Sequence, residues 1–276
     1  MKKILALLLA TLILASILAS CNTPNSGGTP AETPAETPAE SSSTPTDEPD
    51  EPDKNAPARE AYATVKNFFD SVSDLFCFNI TTETANGEKT ETITHFTITD
   101  FRGDSFAYNM SGDGNRVTYI DGCYYLDDGS IKVKMNINAD EVRALVDPAL
   151  FMSYDFDAFA TALVTEADGE TILSLQGISD ELFIEKVLEL YKDMFDSESD
   201  YESALAAFDF DASKYTRVYS FDKDGNVTFF SIEFSYTCSS DGETVEYSYK
   251  ESCVFTTSIS DPISVPDDAD EYINLG

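Results

Sequence analysis

Tryptophan is absent from this chain, and histidine occurs once, at His95. Serine and cysteine nucleophiles commonly take their base from histidine, and zinc centres are commonly built from His or from several spaced Cys. One histidine therefore argues against the usual triads and zinc sites, and His95 reads as a solvent-facing strand residue. No two of the five cysteines (21, 77, 123, 238 and 253) form a CxxC pair. Positive charge is scarce: 17 basic residues stand against 51 acidic ones, a net charge of −34. Such a polyanion is repelled by nucleic acid and by anionic membrane surfaces, so neither is expected as a partner. Among so many carboxylates chance neighbours are inevitable, and no pair stands out as an acid–base couple. The sequence offers no catalytic residue, no cofactor and no metal ligand, and the expected class is non-enzymatic.

Long apolar runs are missing too, except at the start. Lys2 and Lys3 precede Ile4–Leu18, which is almost wholly Ile, Leu and Ala, broken by Thr11 and Ser16. That run is shorter than the roughly twenty residues needed to span a bilayer, and its layout is that of a secretory signal. It closes on Leu18-Ala19-Ser20-Cys21. This stretch resembles the lipobox of bacterial lipoproteins, which implies that residues 1–20 are removed and that Cys21 carries a diacylglycerol thioether. Two acyl chains anchor a protein stably. The expected location is the extracytoplasmic face of the cell membrane.

Residues 21–57 hold almost no apolar bulk, and TPAE repeats three times over 29–40. Pro, Thr, Glu and Ser cannot bury enough surface to offset ordering entropy, so a disordered tether is expected. Fully extended, it reaches on the order of 100 Å.

From residue 58 the composition becomes globular. Ala61, Val65, Phe68, Phe69 and Val72 recur at helical spacing within 58–73. The period then changes to two. Phe76, Phe78 and Ile80 alternate with Cys77, Asn79 and Thr81, and Asn86-Gly87 signals a hairpin. Asp-Gly recurs at 113–114, 121–122, 128–129, 168–169, 224–225 and 241–242, each between strand-like runs. The result is a six-strand antiparallel meander to about residue 137. Helices are then expected at 139–146, 155–164, 180–195 and 201–208, with Ser179 as a cap. Strands resume over 214–221, 228–238 and 244–257. Asp222-Lys223-Asp224-Gly225-Asn226 departs from a calcium loop, because Gly is fourth rather than sixth, and reads as a turn. Asp261 to Pro266 reads as an extended edge, where Pro is tolerated.

Strand register constrains the cysteines. With a turn near Ser240-Asp241, Cys253 lies opposite about Thr228, roughly 30 Å along the strand from Cys238. A disulfide needs Cα atoms within about 7 Å, so that pair is excluded. Cys77 and Cys123, both read as opposite the bulky row, form the less excluded pair.

One aromatic set shares a face across successive strands: Phe106, Tyr108, Tyr119, Tyr124, Tyr219, Phe234, Tyr236, Tyr247 and Tyr249. Such a face makes either an ordinary core or an apolar cavity with hydroxyls at its rim. The element order, the IDGCYYL stretch (120–126) and the Pro-flanked last strand resemble the LolA/LolB and LppX/LprG group of lipoprotein-localisation-like proteins over residues 58–270. The resemblance implies an α+β fold, a curved, unclosed antiparallel half-barrel covered by helices. It also implies binding of a lipid or acyl chain. The alternative is a cell-envelope interaction or sensor module without a bound lipid, its protein partner unspecified by the sequence.

The lipobox generates a direct expectation. Cys21→Ser abolishes incorporation of a fatty-acid probe in cells. Persistent labelling would overturn the lipobox assignment.

Overall fold

The first helix, α1 (Ala56–Ser71), starts with Pro57 in its first turn, where the missing N–H is no loss. Its buried residues Ala58, Ala61, Tyr62, Val65, Phe68 and Phe69 form one stripe, and Val72 ends it by turning extended while donating its N–H to Phe68 O at 2.8 Å. The computed structural model describes residues 54–152, 154–179, 182–183, 208–210, 214–240 and 243–276.

Six strands follow: β1 (Leu75–Ala85), β2 (Glu88–Thr99), β3 (Ala107–Gly112), β4 (Asn115–Ile120), β5 (Cys123–Asp127) and β6 (Lys132–Asn136). Each pairs antiparallel with the next, so the expected meander is present. Its tight turns have the chemistry of their type. Asn86-Gly87, Asp113-Gly114 and Asp121-Gly122 all take positive φ at both positions, as a two-residue hairpin loop requires. Helix α2 (Ala139–Val146) is capped by the Asn138 side chain, which accepts from the Asp140 N–H. It stops before Pro148, which begins a 3-10 segment (Pro148–Met152).

The helix expected over 155–164 is a correction. Only a 3-10 turn (Phe156–Ala158) forms there, and β7 (Thr161–Ala167) follows, paired antiparallel with β8 (Glu170–Gln176) across Asp168-Gly169. Thr161, Val164 and Thr165 are β-branched, and the ladder to β8 outweighs the helical spacing of Phe156, Phe159 and Leu163. Leu182 donates its N–H to Ser179 Oγ at 3.2 Å, so the expected cap is in place. The body of the 180–195 helix lies outside the described residues. So does most of the helix expected over 201–208, whose last residue instead opens β9 (Phe208–Phe210). β10 (Thr216–Phe221), β11 (Val227–Ser240) and β12 (Glu243–Thr256) complete the long strands. The Asp241-Gly242 turn is outside the described residues.

One unclosed sheet contains them all, together with a short last strand, β13 (Ile273–Asn274), in the order β13-β6-β5-β4-β3-β2-β1-β12-β11-β10-β8-β7, with β9 paired to β11. It consists of an N-terminal block, β1–β6, and a C-terminal block, β7–β12, joined at the antiparallel β1–β12 ladder from Phe76↔Thr256 to Ala85↔Tyr247. The extended edge expected at 261–266 is displaced. That segment instead lies over Thr97, Asn109, Arg116 and Thr118 on the outer face of β2–β4. The edge proper is β13 (Ile273–Asn274), which runs parallel to β6.

The sheet is curved, and Phe151 shows it. Its ring centroid lies 6.1 Å from Phe96 on β2 and 5.6 Å from Phe230 on β11. Three strand spacings, about 14 Å, separate those strands. The 3-10 segment and α1 fill the concave side of the sheet. This is an α+β fold, an unclosed half-barrel covered by helices.

Phe69 sits at the centre of that filling, fully buried, with ring contacts to Phe68, Phe151, Tyr219 and Phe255. Phe69→Ala is expected to cost about 3–5 kcal/mol, through lost burial and a residual cavity, as measured by denaturant unfolding.

Candidate functional site on the concave wall

Alternation places every residue of the aromatic set on or beside the concave face, and all but Tyr236 and Tyr247 are buried. They do not form one constellation. Under β3–β5, Tyr108 pairs across from Tyr119 and Tyr119 from Tyr124, with the Phe106 ring tilted against Tyr119 at 5.3 Å. Under β10–β12, Phe234 lies 4.9 Å from Tyr249, Tyr236 lies 4.8 Å from Tyr247, and Tyr219 packs 5.2 Å from Phe230. β2 and β1 separate the two groups.

Most of the hydroxyls already have protein partners. Tyr219 donates to Phe151 O at 2.7 Å, Tyr249 to Glu251 Oε2 at 2.8 Å, Tyr236 to Glu83 Oε1 at 3.3 Å and Tyr119 to Ile137 O at 3.4 Å. The Tyr124 hydroxyl is buried and has no hydrogen-bond partner among the described residues. Burial pushes the phenols of Tyr108 and Tyr124 far above their ordinary range, so both stay neutral donors at any physiological pH.

The same face carries two charged residues that the aromatic reading missed. Arg217 on β10 and Glu251 on β12 are each only 1% exposed. Ile232 on β11 lies between them in the ladder, opposite both. The Arg217 guanidinium donates to Phe151 O and to the Tyr219 hydroxyl, and it lies 5.2 Å from the Tyr154 ring and 5.5 Å from Phe230. Glu251 accepts from Asn79 Nδ2 at 2.6 Å and from Tyr249, and Cys253 Sγ lies 3.6 Å from Oε1. A parity signal for both was present. Arg217 alternates in register with Tyr215 and Tyr219, and Glu251 with Tyr249 and Cys253.

The cysteine expectation needs correction. Cys77 faces the concave core, fully buried, while Phe76 and Phe78 face outward against His95. β1 has apolar residues on both faces, so the bulkier row was the wrong guide. Cys123 is four strands away and on the convex side, next to the inward-facing Tyr124. A Cys77–Cys123 bridge is excluded. Cys238 pairs opposite Val245, and Cys253 opposite Phe230. The register differs slightly from that expected, but Cys238 and Cys253 remain about 27 Å apart along the ladder.

His95 is exposed, and the 222–226 segment is a turn in which Asp222 Oδ1 accepts from the backbone N–H of Asp224 and Asn226. Among the described residues, no group of three or more His, Cys, Asp or Glu is arranged to hold a metal ion. A separate polar cavity of about 320 Å³ lies on the convex face between the 261–267 segment and Thr97, Asn109, Arg116 and Thr118.

Desolvation raises the Glu251 carboxyl from 4.5 to about 7, against the opposing pull of its hydrogen bonds from Tyr249 and Asn79. The folded state thus holds a proton that the unfolded state releases above about pH 4.5. Stability falls as pH rises from there through about 7, and levels off beyond. Between pH 5 and pH 8 the loss from this group is about 2–3 kcal/mol. Glu251→Gln is expected to remove that slope and to exceed the wild type in denaturant resistance at pH 8.

No protein-family model matches the chain, and no curated protein matches its sequence. Solved structures align with most of its length at low TM-scores. LprF from Mycobacterium bovis is 9% identical, with 76% of this chain and 96% of that one covered at a TM-score of 0.38. A LolA superfamily protein from Nitrosomonas europaea is 8% identical over 76% and 96%, at 0.27. A putative outer membrane lipoprotein-sorting protein domain from Vibrio parahaemolyticus is 9% identical over 74% and 95%, at 0.23.

Proposed function

We propose that this chain is a membrane-anchored extracytoplasmic lipoprotein whose half-barrel binds an acyl chain or another apolar ligand without catalysing a reaction. The observation that carries the reading is the concave wall itself. One open sheet presents aromatic and aliphatic side chains from β6 round to β8. Within that wall the Tyr124 hydroxyl is a buried donor with no acceptor among the described residues. A buried polar group without a partner costs about 1–3 kcal/mol. A ligand with an apolar body and one carbonyl or ester oxygen would supply the surface and the acceptor together. The lipobox at Cys21 and the tether over 21–57 support the same reading, because they hold the domain near a membrane without restricting its orientation.

The interaction-module alternative has an observation of its own. The convex face carries Ile93 and Val254 exposed at 42% and 53%, on strands flanking β1 with Phe78 and Ile80 half-buried between them.

Native mass spectrometry of the full chain, extracted in mild detergent, separates the two. The lipid-binding reading expects a co-purifying lipid mass that is lost on denaturation, and weaker retention in Tyr124→Phe. A wild-type protein that stays lipid-free after incubation with phospholipid vesicles would overturn it in favour of the interaction module.

A further inference from the structure

The β1–β12 ladder brings together two cysteines from the two ends of the folded chain. Cys77 stands opposite Phe255, and Asn79 opposite Cys253. Cys77 and Cys253 are therefore diagonal neighbours on one face of adjacent strands. Both are 0% exposed. Cys253 Sγ approaches Glu251 Oε1 at 3.6 Å, and the neighbouring Cys77 thiol adds to the burial that pushes the Cys253 thiol up. The other two cysteines of the sheet are excluded as partners. Cys123 is across the sheet on the convex side, and Cys238 is at the far end of β11 from Phe230, the residue opposite Cys253.

We propose that Cys77 and Cys253 are the sites of a structural disulfide that fastens the N-terminal block of the sheet to the C-terminal block. Diagonal neighbours in an antiparallel pair have Cα atoms about 7–8 Å apart, and disulfides accept up to about 7 Å. With both side chains on the same buried face, the ladder must close by only on the order of 1 Å. The oxidant is a disulfide compound, small-molecule or protein. One cysteine thiolate attacks a sulfur of that disulfide and expels a thiolate. The second cysteine then attacks the mixed disulfide at the protein sulfur and expels the other half. Two electrons pass to the oxidant, which leaves as two thiols carrying the two protons the cysteines gave up.

Burial fixes when this happens. In the closed ladder neither sulfur is reachable, so the exchange belongs to the interval before β12 docks on β1. That docking joins the first strand to the last long one, the pairing with the greatest chain separation, and such pairings close late. In a cell the reaction needs an oxidising compartment, so its occurrence there rests on the extracytoplasmic reading. The geometry does not.

Trypsin cleavage after Lys and Arg places each of the five cysteines in its own peptide: Cys21 in the one ending at Lys54, Cys77 in 67–89, Cys123 in 117–132, Cys238 in 224–250 and Cys253 in 251–276. The test refolds the full chain with oxidised glutathione, alkylates it, and digests it without reductant. The expected product is 67–89 joined to 251–276, about 2 Da lighter than the sum of the two thiol peptides because two hydrogens are lost. The oxidised protein should melt on the order of 10 °C above the reduced one, a difference that vanishes in Cys77→Ala and in Cys253→Ala. Recovery of both peptides alkylated or glutathionylated, or of 251–276 joined to 224–250, would overturn the proposal. Should a variant fail to fold, the wild-type peptide map still decides. A 77–253 bridge in a protein whose Cys21 takes no fatty acid would sink the lipoprotein reading and leave this one standing.

Discussion

The β1–β12 ladder is the constraint on which the rest of the molecule depends. Within β1–β6 every strand meets its neighbour through a short local turn. The C-terminal block runs from β7 to β12 and folds mainly on itself. What makes one half-barrel of two blocks is the pairing of Phe76–Ala85 with Tyr247–Thr256. The concave side of that ladder is unusual in being polar: Asn79, Glu251, Tyr249 and Cys253 all point into the core. Burying such groups is unfavourable unless they meet each other, and here they do. The arrangement also fixes register. A one-residue slip of β12 would turn Glu251 to the convex face and Val254 into the core. A two-residue slip that carried Glu251 away from Asn79 would keep the faces and the Tyr249 bond within β12, but would cost the carboxyl its Asn79 donor. The apolar residues alone would tolerate that second error far better.

Curvature and core then follow from what the joined sheet must enclose. Phe96 and Phe230, three strands apart, both lie against the single ring of Phe151. Around that ring stand Phe69 from α1 and Phe255 from β12, so the helix, the 3-10 segment and both blocks meet at one point. Arg217 is held there too, by the carbonyl of Phe151 and the faces of Tyr154 and Phe230. A guanidinium is more weakly hydrated than an ammonium and stacks on aromatic rings, which suits it to such a place. The aromatic wall is therefore a packed structure at its centre. Its unfilled hydrogen-bonding capacity lies to one side, at Tyr124 under β5.

Much of this is legible in the sequence. The hairpins are, because Asn-Gly and Asp-Gly impose positive φ that few other residues accept, and so is α2, whose length is set by Asn138 and Pro148. The errors have physical sources. β1 is apolar on both faces, so bulk misassigned Cys77 and Phe78 to the wrong sides. Phe156, Phe159 and Leu163 have helical spacing, yet the ladder to β8 takes residues 161–167 into the sheet. Both failures concern long-range pairing, which periodicity within one segment does not record. The aromatic face itself was correctly placed. Its division into two groups was not visible, because strand parity gives the face of a residue but not its neighbours across a seam that closes late.

The convex face shows how few cations this acidic chain spends on its surface, and where. Arg116 and Lys132 both reach Asp268, Lys132 also meets Glu271, and Lys134 donates to Ala269 O. Exposed ion pairs contribute little each, so they orient the C-terminal segment more than they hold it. Holding falls to Tyr272, buried and packed edge-on at 5.4 Å against Tyr125, and to the short parallel pairing of β13 with β6. That segment shields the N-terminal block and protects its edge strand from outside pairing. It stops short of the seam. There Phe76, Phe78, Ile80 and Val254 stand on the outer face directly behind Cys77, Asn79 and Cys253. The seam is thus polar within and apolar without, the reverse of an ordinary half-buried strand pair. Its inner row serves register and closure, which leaves the outer row to be explained by something other than the core.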